Sequence, residues 1–162
     1  MKNEREISYK KLKNGWIELL SSIDWDIFIT FTFKDNPHSF ESGYDYLSEY
    51  FKLLKEKYTK IQFGGISFGL IDRHNFNKTI HFHSLIACNH NYPENFSTFS
   101  FREIKQLEQI WDHGRIGIQV IDNQEGIIKY ISGKNIRFDN VDEYQIFPHR
   151  KNLLLELQKR KA

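Results

Sequence analysis

The residue pattern predicts an α+β domain, an antiparallel sheet with helices packed on one face. Three observations carry this expectation. Stretches rich in β-branched and aromatic residues recur at 26–33, 62–72, 79–87 and 115–121. Segments with apolar residues at three- and four-residue spacing lie between and around them. Two strand-like stretches are separated only by a short segment ending in Asn75-Phe76-Asn77-Lys78, which reads as a hairpin turn.

Taken in order, Ile7 to Ser22 places Leu12, Trp16, Leu19 and Leu20 near helical spacing. Asp26 to Phe33 reads as a central strand, and Asp35-Asn36-Pro37 breaks it. From Ser39 to Tyr58 the apolar positions Tyr44, Leu47, Phe51 and Leu54 predict a helix, with Ser39 or Ser42 as its cap. Gln62 to Asp72 predicts a strand in which Gly64, Gly65 and Gly69 point to a bulge or a close backbone approach. Thr79 to Ala87 is its hairpin partner. Phe101 to Trp111 predicts a helix capped by Ser100 and stopped by Gly114. Arg115 to Ile121 alternates as a strand, and Asp122 or Asn123 caps a short helix over Gln124 to Gly133. The segment from Phe147 contains Leu153-Leu154-Leu155 and is expected to form a last helix. The order (α)βαββαβα suits a ferredoxin-like sandwich, with the second face of the sheet open for function.

At 162 residues, 40% hydrophobic and 27% charged, the chain is the size of one globular domain. No linker or repeat divides it, so residues 1–162 are expected to form a single unit, its motif-bearing core at about 24–134 with helical extensions at both ends. The one cysteine, Cys88, excludes an intrachain disulfide framework and fits a reducing compartment. No apolar run is long enough to cross a membrane and no signal peptide is expected, which points to the cytoplasm. The net charge of +2 says little about partners, but Arg150, Lys151, Lys159, Arg160 and Lys161 face only Glu156 in the final stretch. Such a tail is either a solvated helix end or a grip on phosphate.

The most informative motif is His81-Phe82-His83. On a strand the two imidazoles share one face, about 6.5 Å apart at Cα, while Phe82 points to the other. They are either ordinary histidines on a wet sheet face or two ligands converging on one metal ion. Thr30 and Thr32 alternate in the same sense on the first strand. With Phe76-Asn77 at the hairpin tip, Asp72 falls directly opposite His81 and becomes the candidate third ligand; His74, nearer the turn on the same face, is second. Two imidazoles and a carboxylate leave open positions on Mg²⁺ or Mn²⁺, a Lewis acid for a phosphodiester.

The helix over 124–133 carries the second candidate. Ile127, Ile128 and Ile131 form its buried stripe, and Tyr130 and Lys134 are an i, i+4 pair on one face. A phenol can form a covalent phosphoryl intermediate, and an ammonium nearby can orient a phosphate. A half-buried tyrosine beside a surface lysine is the bland alternative.

Together these segments resemble the HUH endonucleases, whose name denotes His-hydrophobic-His. The closest likeness is to replication initiators of rolling-circle plasmids and small circular single-stranded DNA viruses. Phe28-Ile29-Thr30-Phe31-Thr32-Phe33 resembles the first motif of that family, His81-Phe82-His83 the second, and Tyr130 with Lys134 the third, in the family's order. Viral members place the lysine three residues after the tyrosine; here Lys134 is four after, and Lys129 is adjacent. Some relatives carry a second tyrosine four residues earlier, where this chain has Gly126, so a one-tyrosine enzyme is implied. No Gly-rich P-loop accompanies these motifs, so no helicase domain is expected.

The resemblance implies sequence-specific nicking and rejoining of single-stranded origin DNA through a 5′-phosphotyrosine link. Tyr130 would be the nucleophile, assisted by Lys134. His81, His83 and Asp72 would hold Mn²⁺ or Mg²⁺, and Thr30, Thr32, Lys129 and Lys78 would contact DNA. The expected partners are origin DNA and the host polymerase and helicase, with the protein acting as a monomer. Two alternatives remain at this level. One is a single-tyrosine transposase of a small insertion sequence, which resembles the family as a dimer with exchanged tyrosine helices. The other is a non-catalytic module that stacks RNA bases on its sheet.

Overall fold

The structure, a computed structural model, describes residues 4–57, 63–72, 79–88, 101–134 and 144–147. In chain order these form α1 (Glu4–Ser21), β1 (Ile27–Phe31), α2 (Phe40–Lys57), β2 (Phe63–Asp72), β3 (Thr79–Cys88), α3 (Phe101–Gln109), β4 (Ile116–Val120), α4 (Gln124–Lys134) and β5 (Tyr144–Phe147). The strands make one antiparallel sheet in the order β4-β1-β3-β2-β5. The crossovers through α2 and α3 each skip one strand position, which an antiparallel neighbour fills. That is the ferredoxin-like α+β arrangement. β5, four residues without a turn signal, has no counterpart among the expected elements and extends the β2 edge; the expected last helix lies outside the described residues.

Strand alternation sorts the core into two layers. On one face Ile27, Ile29, Phe31, Ile80, Phe82 and Ile86 pack against Tyr44, Leu47, Tyr50, Phe51 and Leu54 of α2, with Leu107 of α3 and Trp111. Phe82 is fully buried there, with Tyr44, Phe33 and Phe40 around its ring at 4.7, 5.9 and 6.1 Å. On the other face Phe28, Ile66, Phe68, Leu85 and Ala87 pack against Leu20 of α1 and Ile128 and Ile131 of α4. Burying each Leu, Ile or Phe side chain among these contributes about 1.5–3 kcal/mol. The second face is thus open over only part of its length, because the apolar stripes of α1 and α4 need cover. Its open end carries Thr30, Leu70, His81 and Gly117, half-buried or exposed.

Local chemistry sets the helix starts. Ser39 caps α2 by accepting from Ser42 N, while Ser42 Oγ accepts in return from Ser39 N, both at 3.2 Å. Asn123 Oδ1 caps α4 through Gly126 N at 3.0 Å. The β2–β3 ladder runs unbroken from Phe63↔Cys88 to Asp72↔Thr79, so its glycines serve close approach and not a bulge. A Cβ on Gly69 would stand 2.4 Å from the Phe40 ring. Gly114 lies beyond the end of α3 and lets its loop press on β1, since a Cβ there would stand 2.3 Å from Thr32 O.

Candidate active site

β1 and β3 pair so that Thr30 stands directly opposite His83, with Gly117 of β4 on the other side of Thr30. Directly opposed residues share a face, so Thr30, His81 and His83 belong to one surface. His83 is 4% exposed and His81 is half-buried. The Phe28 ring lies 5.4 Å from the His83 imidazole, and the Thr79 hydroxyl lies 3.1 Å from His81 Nε2. These contacts restrict both rings before any ligand arrives.

Tyr130 reaches this surface from α4. Its ring centroid is 5.4 Å from that of His83 and 6.2 Å from that of Phe28, and the residue is 45% exposed. Buried Ile128 and Ile131 hold the helix against the sheet. Gln124, in the first turn, fixes its start: Gln124 Nε2 donates to Ile23 O at 2.7 Å, and Trp25 N donates to Gln124 Oε1 at 2.8 Å. A lone glutamine at a helix start gives no sequence signal of partners a hundred positions away, so its role was illegible in the chain. A phenol with exposed area beside an imidazole has the chemistry of a nucleophile toward a phosphodiester.

The third-ligand geometry differs from the sequence expectation. His81 pairs with Leu70 and Asp72 with Thr79, so Asp72 is diagonal to His81 and not opposite it. The shift is by two in the register sum, which keeps Asp72 on the histidine face. Its physical cause lies on the opposite face, where this register sets Ser67 against Ser84. Both are buried, and their hydroxyl oxygens are 2.6 Å apart. The expected register would have set Ser84 against Gly69 and left both buried hydroxyls without each other.

The side chains of Asp72 and Lys134 lie outside the described residues, as do Lys78 and His74 entirely. Lys134 closes α4 one turn after Tyr130. Lys129 lines a 550 Å³ cleft with Ile17 and Ser21 of α1, away from the histidines. Thr32 donates its hydroxyl to Arg115 O at 2.9 Å. Among the described residues no three His, Cys, Asp or Glu side chains converge. The donors that can be assigned to a divalent ion are His81 and His83, with Asp72 on the same face by register. Imidazole donors favour transition-metal ions over Mg²⁺, a carboxylate would add affinity for Mn²⁺, and an ion bound there would act as a Lewis acid on a phosphate.

Among the described residues no helix is long and apolar enough to cross a membrane. Compared with known proteins, the chain matches no family model, no curated protein and no solved structure.

Proposed function

We propose that the chain is a replication initiator that nicks and rejoins single-stranded DNA, with Tyr130 as nucleophile. The observation that carries this reading is the 5.4 Å contact between the Tyr130 and His83 rings, made by elements far apart in sequence. In the reaction the Tyr130 oxygen bonds to phosphorus and the bond to the 3′-oxygen breaks. The phenol proton leaves to solvent, and the 3′-oxygen takes one up. The product is a 5′-phosphotyrosine and a free 3′-hydroxyl, and attack by that hydroxyl reverses every bond change. Thr30 and the small Gly117 leave the sheet flat beside His83, where a strand can lie.

Two further observations favour this reading over its rivals. Tyr130 packs on His83 of its own chain, whereas the transposase reading relies on exchanged tyrosine helices. A base-stacking module needs exposed rings on its central strands, but Phe28 and Phe68 are buried beneath α4 and α1. The direct test is incubation with Mn²⁺ and a pool of labelled single-stranded oligonucleotides. A denaturant-stable protein–DNA adduct is expected, and its absence across the pool would remove the reading.

A further inference from the structure

We propose that Lys34 and Arg115 form a second phosphate seat on the sheet, which holds the single strand on one flank of the scissile phosphodiester; this rests on the nickase reading above. The two residues line a depression of 380 Å³ with Thr32, Phe33, Asp112 and Gly114. It lies just past the end of β1 and before the start of β4. From His83 the path crosses Thr30 to Gly117, then runs two positions back along β4 to Arg115, roughly 12 Å between the Cα atoms at its ends. Arg115, Gly117 and Gln119 are all exposed, while Ile116 and Ile118 between them pack into the core. The Arg115 side chain therefore belongs to the surface that carries His83.

The backbone that carries the seat is tied down before anything binds. Thr32 N and Thr32 Oγ1 both donate to Arg115 O at 2.9 Å, and Lys34 N donates to His113 O at 2.7 Å. Trp111 Nε1 donates to Thr32 O at 3.2 Å. Between this seat and His83 stand Thr30 and the side-chain-free Gly117. A Cβ added to Gly117 would meet only the Thr30 Cβ, at 4.0 Å, so the gap is open space that a sugar or base can fill.

Charge selects the occupant. Lys34 and Arg115 contribute two cations against the single carboxylate of Asp112, which lies 3.2 Å from His113 Nε2. The α1–α4 cleft balances Lys129 against Glu125 and offers a phosphate no net attraction. A guanidinium and an ammonium beside a flat polar shelf suit the backbone of a single strand, since phosphate contacts position a nucleic acid without reading its sequence.

The test measures equilibrium binding of a labelled single-stranded oligonucleotide of mixed sequence by fluorescence anisotropy across a salt series, without added metal. Lys34→Ala and Arg115→Ala should each weaken binding by about 3–10-fold, and each should lower the log–log salt slope by about 0.7, the value for one phosphate contact on a single strand. Gly117→Leu should fill the shelf and weaken binding with the salt slope unchanged. Lys55→Ala, on α2 behind the sheet, should change neither quantity. Losses from Lys55→Ala equal to those from Arg115→Ala would overturn the seat by showing a diffuse charge effect. Normal binding by all three site variants, with wild-type adduct formation intact, would overturn the seat and leave the nickase reading standing. A wild-type protein that binds no single strand at all would overturn both.

Discussion

Tyr130 on α4 and His83 on β3 hold their rings 5.4 Å apart, and the contact is a product of core packing. Ile128 and Ile131 flank the tyrosine and are buried, so the helix face that anchors α4 also dictates where the phenol stands. Phe28 completes the group from β1, with its ring 5.4 Å from His83 and 6.2 Å from Tyr130.

Tyr130→Phe should keep the fold and single-strand binding and abolish covalent adduct formation. The ring and its contacts persist while the attacking oxygen is removed. Gel analysis of the adduct decides it. Undiminished adduct would move the nucleophile elsewhere, with Tyr144, 41% exposed on β5 of the same sheet, as the next candidate.

The two histidines should separate in stability but not in metal binding. His81 is half-buried, so His81→Ala should leave thermal unfolding nearly unchanged. His83 is 4% exposed between two aromatic rings, and its loss should cost about 0.5–3 kcal/mol. Both variants should lower Mn²⁺ affinity at least tenfold by calorimetry, as expected when a ligand is lost. Wild-type affinity in both would sink the metal site.

Asp72→Asn should weaken Mn²⁺ binding by one to two orders of magnitude, because a charged hard-oxygen donor is replaced by a neutral one. His74→Ala should do much less. The reverse ranking, read by the same calorimetry, would assign the third position to His74 and favour softer divalent ions.

Much of this architecture is legible in the chain, and what is not legible has identifiable causes. Repeated Phe and Thr mark β1 and helical spacing marks α2; the sequence narrows the caps to Ser39 or Ser42 and Asp122 or Asn123, and the structure uses Ser39 and Asn123. Strand parity puts His81 and His83 on one face of their strand, and the β1–β3 register brings Thr30 to it. The hairpin register is a different matter, since turn residues at 75–78 admit more than one tip. The choice falls to Ser67 and Ser84, whose buried hydroxyls must meet. Cover of the second face by α1 and α4 was hidden for a similar reason: Trp16 and Leu20 show that a helix has an apolar side but not which layer it meets. Gln124 and Arg115 carry no motif, and their places emerge only from tertiary contacts.

Phe82→Ala should destabilise the protein by about 3–5 kcal/mol, more than loss of either neighbouring histidine. Phe82 is fully buried, and its ring meets Tyr44, Phe33 and Phe40, so truncation leaves a cavity where three rings converge. Denaturant unfolding gives the value. A cost below that of His83→Ala would contradict the division of this strand into a structural and a functional face.

Gln124→Ala tests whether Tyr130, the proposed nucleophile, is placed from a distance. The substitution removes the acceptor for Trp25 N and the donor to Ile23 O, both partly buried. Leaving such groups unpaired costs about 1–3 kcal/mol. The helix should stay formed, because Asn123 still caps it and Ile128 and Ile131 still anchor it. Its first turn would lose the tie to the Ile23–Trp25 segment, and Tyr130 would sample positions further from His83. Adduct formation rate should therefore fall about tenfold or more, in keeping with the sensitivity of such reactions to misplacement on the order of 1 Å. Single-strand affinity and Mn²⁺ affinity should stay at wild-type values, a pattern that a general loss of folded protein would not produce. Gln124→Glu keeps the acceptor but not the donor and should fall between the two. An adduct rate equal to wild type in Gln124→Ala would show that the two isoleucines alone position the tyrosine.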